Sequence, residues 1–354
     1  MANIKQVAER AGVSSATVSR VLGGRVPVLP ENRDRVLRAA AELDFRPNRL
    51  ASNLRRQTTQ TLGVVVSDIE NPHFTQMVRT VEEAAYERGF RVLLCNTDES
   101  AEKQRSYLEV LAAERVLGVI MAPSNPAGEE IGRLLDLGIP LVAFDRMVAD
   151  ARADGVVVDN VEGARRATRH LLAAGHERIG FIGGRTAIQT GADRLKGYEE
   201  AMREEGLTPR SAEGAFRIDQ ARVATTTLLD GEYALTALVV ANNLMTIGAL
   251  SALRDRGVWV PEEIAVVAVD DPFWAELVDP PLTTLAQPVR RMAAAAFNLL
   301  VERIDGERSQ TKCVVFDFEL RVRRSCGTIR GPSERTIGEM SRPAGRDGQI
   351  GVEE

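Results

Sequence analysis

Histidine and cysteine are both scarce in this chain of 354 residues, at three of each. His73, His170 and His176 leave little material for imidazole catalysis or a metal site. Cys95, Cys313 and Cys326 are odd in number and scattered, with neither metal-ligand spacing nor a disulfide framework. They read as idle or buried thiols. Long apolar runs are missing too: nothing approaches the roughly 18 uncharged apolar residues of a membrane helix. Met1-Ala2-Asn3-Ile4-Lys5 leads straight into a charged, periodic segment with no apolar signal region. The expected location is cytoplasmic, with no membrane partner.

Glycine is absent where a nucleotide-dependent enzyme would need it. The stretch Val64-Val65-Val66-Ser67-Asp68-Ile69-Glu70-Asn71-Pro72 has none, and Gly183-Gly184 is too short for a dinucleotide fingerprint. No Ser/His/Asp set or paired carboxylates stand out. An enzyme is disfavoured, and no cofactor or metal is expected.

What is present divides unevenly. The length exceeds the roughly 250–300 residues at which single cores stop growing, so more than one domain is expected. The net charge of −5 conceals an asymmetry: residues 1–56 carry 11 Lys/Arg against 5 Asp/Glu, or +6, leaving −11 for the rest. A small basic head on a large acidic body suits a phosphate-binding module joined to something else.

The head patterns as three short helices. Ile4 to Ala11 is amphipathic with Asn3 as a candidate cap, and Gly12 closes it. Ser14 can cap a second helix through Leu22. Val36, Leu37, Ala40 and Leu43 give a third apolar period over 31–44. Arg46-Pro47-Asn48 breaks the bundle, and Arg49 to Arg56 is helical in composition but too short to stand alone.

From Thr61 onward, apolar runs alternate with amphipathic helices. The runs are Leu62–Ser67, Val92–Cys95, Val119–Ala122, Leu141–Phe144, Val156–Val158, Ile179–Ile182, Leu238–Ala241 and Ile264–Val269. Helical patterns lie near 73–88, 103–114, 129–137, 161–174, 194–205, 243–256 and 289–305. Such alternation indicates parallel sheets covered on both faces. Seven or more units exceed one sheet, so two α/β lobes with a cleft between them are expected. The divisions fall at 1–46 (head), 47–60 (linker), 61–326 (two-lobed body) and 327–354 (a polar tail expected to be disordered).

Ala8, Gly12 and Val18 fall at helix-turn-helix spacing: a small residue at the crossing, a turn, and a residue locking the second helix. The longer string Val7-Ala8, Ala11-Gly12-Val13-Ser14 and Thr17-Val18-Ser19-Arg20-Val21-Leu22 closely resembles the lactose-repressor (LacI/GalR) family of bacterial transcription regulators. The resemblance continues through Phe45-Arg46-Pro47-Asn48 and Leu50-Ala51 to Leu54, then across the body to about residue 325. It implies an all-α helix-turn-helix head on a two-lobed, periplasmic-binding-protein-like α/β body. It also implies a homodimer gripping a near-palindromic double-stranded operator under control of a small-molecule effector.

The residues fit that implication in their own chemistry. Ser14, Thr17 and Ser19 carry short hydroxyls suited to phosphate oxygens or to helix capping, and Arg20 can reach a guanine edge or a phosphate. Ser15 and Ala16 occupy the positions the family uses most for base choice; both are small, which favours shape readout. Asn48, Ala51 and Leu54 match the family's hinge segment, whose leucine wedges into the minor groove. Leu29 stands where the family usually caps its third helix with Ser or Thr, and leucine cannot cap.

In the body, polar residues cluster where strands end. Asp68, His73 and Phe74 follow the first run, Asp145 and Arg146 the fourth, and Gln189 to Arg194 lead into a helix. Asn242 and Asp270 end two more. The resemblance places Asp68, His73, Phe74, Arg146, Thr190, Arg194, Phe216, Asn242 and Asp270 at the effector cleft. Carboxylates, an amide and arginines beside an aromatic suit a sugar or sugar acid. Arg194 and Asp270 also suit a structural ion pair, Asn242 a helix cap, and Phe216 and Trp274 plain packing. His176 reads as structural. A solute-binding protein of the periplasm is the alternative for the body, and the basic head argues against it.

Overall fold

The computed structural model describes residues 4–23, 29–43, 45 and 59–327. Asn48, Ala51 and Leu54 lie outside the described residues, as do the tail beyond Gly327 and the side chain of Ser19.

The head holds α1 (Ile4–Ala11), α2 (Ser15–Gly23) and α3 (Pro30–Glu42). Val7, Ala8, Ala11, Val18, Val36, Ala39 and Ala40 form its core. Gly12 takes φ +62 at the turn, where the Val13 N–H reaches Ala8 O at 3.0 Å. That left-handed backbone favours glycine. Ser14 Oγ accepts from the Thr17 N–H at 3.1 Å, starting α2. Leu29 indeed gives α3 no side-chain cap; Pro30 opens the helix instead. The expected apolar face of α3 is shifted at one position: Leu37 is exposed, and Ala39 is buried in its place.

The body contains two six-stranded sheets. The first lobe runs β1 (Thr61–Val66), α4 (Pro72–Glu87), β2 (Arg91–Asn96), α5 (Ala101–Ala113), β3 (Gly118–Met121), α6 (Glu129–Asp136), β4 (Leu141–Phe144) and β5 (Asp154–Val158). The second runs α7 (Asn160–Ala173), β6 (Ile179–Gly183), α8 (Gln189–Glu204), β7 (Arg210–Glu213), α9 (Ile218–Asp230), β8 (Ala237–Val240), α10 (Asn243–Asp255), β9 (Ala265–Val269) and β10 (Thr283–Ala286). The chain then returns through α11 (Val289–Ile304) to β11 (Cys313–Phe316) on the first sheet, and crosses again to β12 (Glu319–Arg321) on the second.

Strand order is β11-β5-β4-β3-β1-β2 in one sheet and β12-β10-β9-β8-β6-β7 in the other. All pairings are parallel except β10 with β12. In both sheets the order reverses between a lobe's first and third strands, the switch point where such folds bind ligands. The strands read as buried β-branched runs because helices cover both faces. Val269, Leu285 and Phe318 of the second lobe join the core around β1, α4 and α11 of the first. The lobes therefore share apolar packing at their connections.

Four strands and one helix lack a clear sequence signal. β7 (Arg-Ser-Ala-Glu) is a mostly exposed edge, β11 and β12 are short and half-polar edges, and β10 is only four residues long. α9 carries Val and Thr at consecutive turns, which weakens its helical pattern.

Candidate functional site

On the head, α2 presents Ser15, Ala16 and Arg20 to solvent, with Thr17 half-buried. The Ser14 hydroxyl is engaged locally: besides the Thr17 N–H, it lies 2.9 Å from Thr17 Oγ1. Two other arginines of the head are engaged within it. Arg10 Nε pairs with Glu42 at 2.8 Å, and Arg35 donates to Gly12 O at 3.0 Å.

In the body, Asp68, His73, Phe74, Arg146, Thr190, Arg194, Phe216, Asn242 and Asp270 line one cleft, partly open to solvent. They come from the carboxyl ends of strands in both sheets. Asn71, Glu99, Asp145, Arg217 and Gln287 complete the lining. Of these, Asp145 stood at a strand end in the sequence without being singled out as a site residue, and the other four gave no comparable signal. Glu99 sits inside an unpatterned polar string after β2, and Arg217 lies between β7 and α9, neither of which is legible.

Helix starts position several of these groups. Asn71 caps α4, its Oδ1 accepting from the His73 N–H at 2.9 Å, with Pro72 pre-set for the first turn. Asn242 caps α10 through the Met245 N–H at 2.8 Å, so the capping role and a place in the cleft coincide. Asp145, Phe216 and Asp270 take φ +68, +59 and +75. Such left-handed backbone at non-glycine residues is held only where the surroundings enforce it, commonly at ligand sites.

Each arginine in the cleft already has protein acceptors. Arg146 forks onto Glu99 at 2.6 and 2.7 Å and also donates to Pro123 O at 3.2 Å. Burial works against the Arg146 charge, but Glu99 and Asp145 outweigh it and raise its pKa further. Among the described residues Arg194 forms no ion pair; it donates to Asn160 Oδ1 at 2.7 Å and Ala241 O at 2.6 Å. Arg217 reaches across the cleft to Asp68 at 2.8 Å. Asp270 accepts from Gln287 Nε2 at 2.7 Å. His73 is buried with neither ring nitrogen hydrogen-bonded among the described residues, its Nε2 3.7 Å from Asp145 Oδ1. Its ring meets Phe74 edge-on at 5.0 Å.

Two glycines support the walls. Phe216 lies against Gly184, where an added Cβ would come within 2.0 Å of the ring. At Gly197 an added Cβ would meet Val161 O at 2.0 Å, so α8 can lie against α7 only without a side chain there. Along α8, Arg194 faces the cleft, Gly197 makes the contact with α7, and Tyr198 is buried. The tyrosine hydroxyl donates to Ile179 O and accepts from the Arg210 N–H, each at 2.8 Å. Trp274 packs half-buried against the second core. His176 is held below the usual imidazole range by burial, partly offset by its bond to the Cys326 backbone, as befits a structural role. Cys95 and Cys326 are buried thiols and Cys313 an exposed one. Among the described residues no helix is long and apolar enough to cross a membrane.

Comparison with known proteins agrees with this geometry. Residues 3–48 match the model of bacterial regulatory proteins of the lacI family, and 168–326 that of a periplasmic binding protein-like domain. The chain is 35% identical over 336 residues to the HTH-type transcriptional repressor PurR of Haemophilus influenzae (strain PittEE), covering 93% of this chain and 100% of the relative. The lac repressor dimer bound to operator and the anti-inducer ONPF superimposes with a TM-score of 0.81 at 26% identity, covering 92% of this chain and 99% of that one. A complex of the transcriptional regulator CelR with cellobiose aligns at 34% identity and a TM-score of 0.69, covering 92% and 100%. A basic helix-turn-helix on a two-lobed ligand-binding body is the architecture of a DNA-binding transcriptional regulator, and this chain belongs to the LacI family of bacterial regulatory proteins.

Proposed function

We propose that this repressor acts in the cytoplasm as a homodimer and releases or grips its operator according to a neutral sugar held in the cleft. The cleft's polar balance carries this reading. Arg146 is paired with Glu99 and Arg217 with Asp68, and Arg194 is held by the neutral Asn160 and Ala241 O, whereas Asp145 and Asp270 line the space with acceptor capacity to spare. Spare acceptors suit hydroxyl donors. A carboxylated ligand would meet four carboxylates, with Arg194 the one lining arginine that has no carboxylate partner among the described residues. Phe216 and Phe74 supply apolar faces for a sugar ring. The CelR complex with cellobiose supports the same class.

On the DNA side, Ser14, Ser15, Ala16, Thr17, Ser19 and Arg20 form the reading helix, with Asn48, Ala51 and Leu54 contributing from the hinge. Dimerisation draws support from apolar side chains open to solvent on both lobes: Tyr86, Leu93 and Leu94 on the first, Val223, Phe273 and Leu277 on the second. The +6 heads repel, so the bodies must hold the pair.

A thermal-shift screen against neutral sugars, sugar acids and nucleosides tests the ligand class, because a ligand that binds only the folded state raises Tm by mass action. Neutral sugars are expected to stabilise. Stabilisation by sugar acids alone would overturn the class. Affinity for duplex DNA is expected to fall steeply from low to physiological salt.

A further inference from the structure

Helix α5 touches both the cleft and the chain that leads to the head. Its N-terminus is capped by Ser100, whose neighbour Glu99 is locked to Arg146 in the cleft. One turn in, the buried Gln104 binds the loop after β3: its Nε2 donates to Asn125 O at 2.8 Å, and its Oε1 accepts from the Ser124 N–H at 2.7 Å. That loop also supplies Pro123 O to Arg146. A shift of Arg146 therefore reaches α5 through two attachments.

The other end of the same helix holds Thr59, at the body end of the linker. Thr59 Oγ1 donates to Arg115 O at 3.0 Å and to Glu114 O at 3.4 Å, and its N–H points to Arg115 O at 3.5 Å. Asp98 and Glu99 before α5 and Arg115 after it all take left-handed backbone, with φ of +50, +59 and +51. Thirteen helical residues span about 20 Å at 1.5 Å per residue. Leu108 and Leu111 anchor the middle in the core, so the helix moves with its lobe as one piece.

We propose that α5 is the rod coupling cleft to head: the Arg146–Glu99 pair sets one end, and Thr59 takes its position from the other. Thr59 is thus a positioning residue for DNA binding. This rests on the reading of the cleft as the effector site.

A double-mutant cycle tests it with the full chain and no effector. A duplex is selected by the wild-type protein from a randomised pool, and its affinity is measured for wild type, Glu99→Gln, Thr59→Val and the double variant. Residues this far apart with no shared partner normally act additively. Coupling through α5 is expected to leave the double variant's affinity at least threefold away from the product of the single effects. Thr59→Ser, which keeps the hydroxyl, is expected to restore wild-type behaviour. Single effects that multiply within error would overturn the proposal, as would Thr59→Ser behaving like Thr59→Val. If Glu99→Gln loses its cooperative melting transition, Arg146→Lys takes its place in the cycle. Failure of the wild type to select any duplex would instead refute the head's DNA-binding role, and the rod with it. A neutral-sugar screen without hits would strike the cleft reading and leave the measured coupling standing.

Discussion

Asp68 and Arg217, one from each lobe, meet across the cleft at 2.8 Å. Burial raises the Asp68 pKa above the usual aspartate range, and neither the Glu70 N–H nor Arg217 fully offsets it. A carboxyl whose folded pKa is raised contributes stability that is full below its unfolded pKa, about pH 4, and is lost as pH rises through the folded pKa. At neutral pH the ionised Asp68 therefore weighs against the folded body while drawing the lobes together.

Asp68→Asn separates these two effects. The variant is expected to match or exceed the wild-type Tm at pH 7, with any gain vanishing toward pH 4. It is also expected to open the cleft, giving a larger radius of gyration in solution scattering. Arg217 is more than one-third exposed, so the pair itself adds little to global stability. A loss at pH 7 near the 3–5 kcal/mol of a broken buried pair would sink this account.

Asp154 presents the opposite balance. It is almost fully buried, yet Arg303, Arg308 and the Lys312 N–H donate to it at 2.6–3.0 Å. Burial opposes its ionisation, and these donors overcome that and hold its pKa below the usual range. This cluster ties β5 to α11 and the approach to β11. A depressed folded pKa contributes stability above the unfolded pKa that is lost as pH falls through the folded one. Asp154→Ala is expected to cost about 2–3 kcal/mol at pH 7, because the half-buried Arg303 loses its counterion, Arg308 is left with Glu302 alone and the Lys312 N–H loses its acceptor. In urea unfolding the gap to wild type should narrow below about pH 4. A gap that stays constant with pH would rule out the ionised carboxylate as its source.

The wall of the cleft depends on a missing side chain. With Gly184 beneath it, the Phe216 ring lies flush, and an added methyl at 2.0 Å must push the ring toward the ligand space. Gly184→Ala is expected to weaken binding of the stabilising sugar by tenfold or more, read by calorimetric titration. Tm should fall only modestly, since the displaced ring has open space to enter. Unchanged affinity would mean that Phe216 does not border the ligand.

Much of this architecture is legible in the sequence, for a definite reason. Parallel strands buried on both faces keep near-continuous apolar runs, so β1, β4, β6, β8 and β9 announce themselves, and the polar residues at their ends mark the cleft. Glu99 and Arg217 were hidden because they follow edge strands whose outer faces are polar or exposed. Their roles depend on partners 47 and 149 residues away, a separation that local periodicity does not encode. The exposed Leu37 was misplaced for a related cause: in so short a bundle, Ala39 and Ala40 fill the space that a helical period assigns to a larger residue.

The head offers the most direct test of how DNA is read. Ser15 and Ala16 stand exposed at the start of α2 with side chains too short to span far into a groove, while Arg20 lies exposed a turn further on. A long guanidinium behind two small residues is placed to reach what they cannot. Arg20→Ala is therefore expected to weaken binding to a duplex selected by the wild type. The salt dependence then identifies the contact: a phosphate partner lowers the slope of log affinity against log salt by about one for every sequence alike. A guanine partner instead costs about 1–3 kcal/mol on the selected duplex and relaxes preference at one base pair. Unchanged affinity on every duplex would remove Arg20 from the interface and leave α2 without its one long reader.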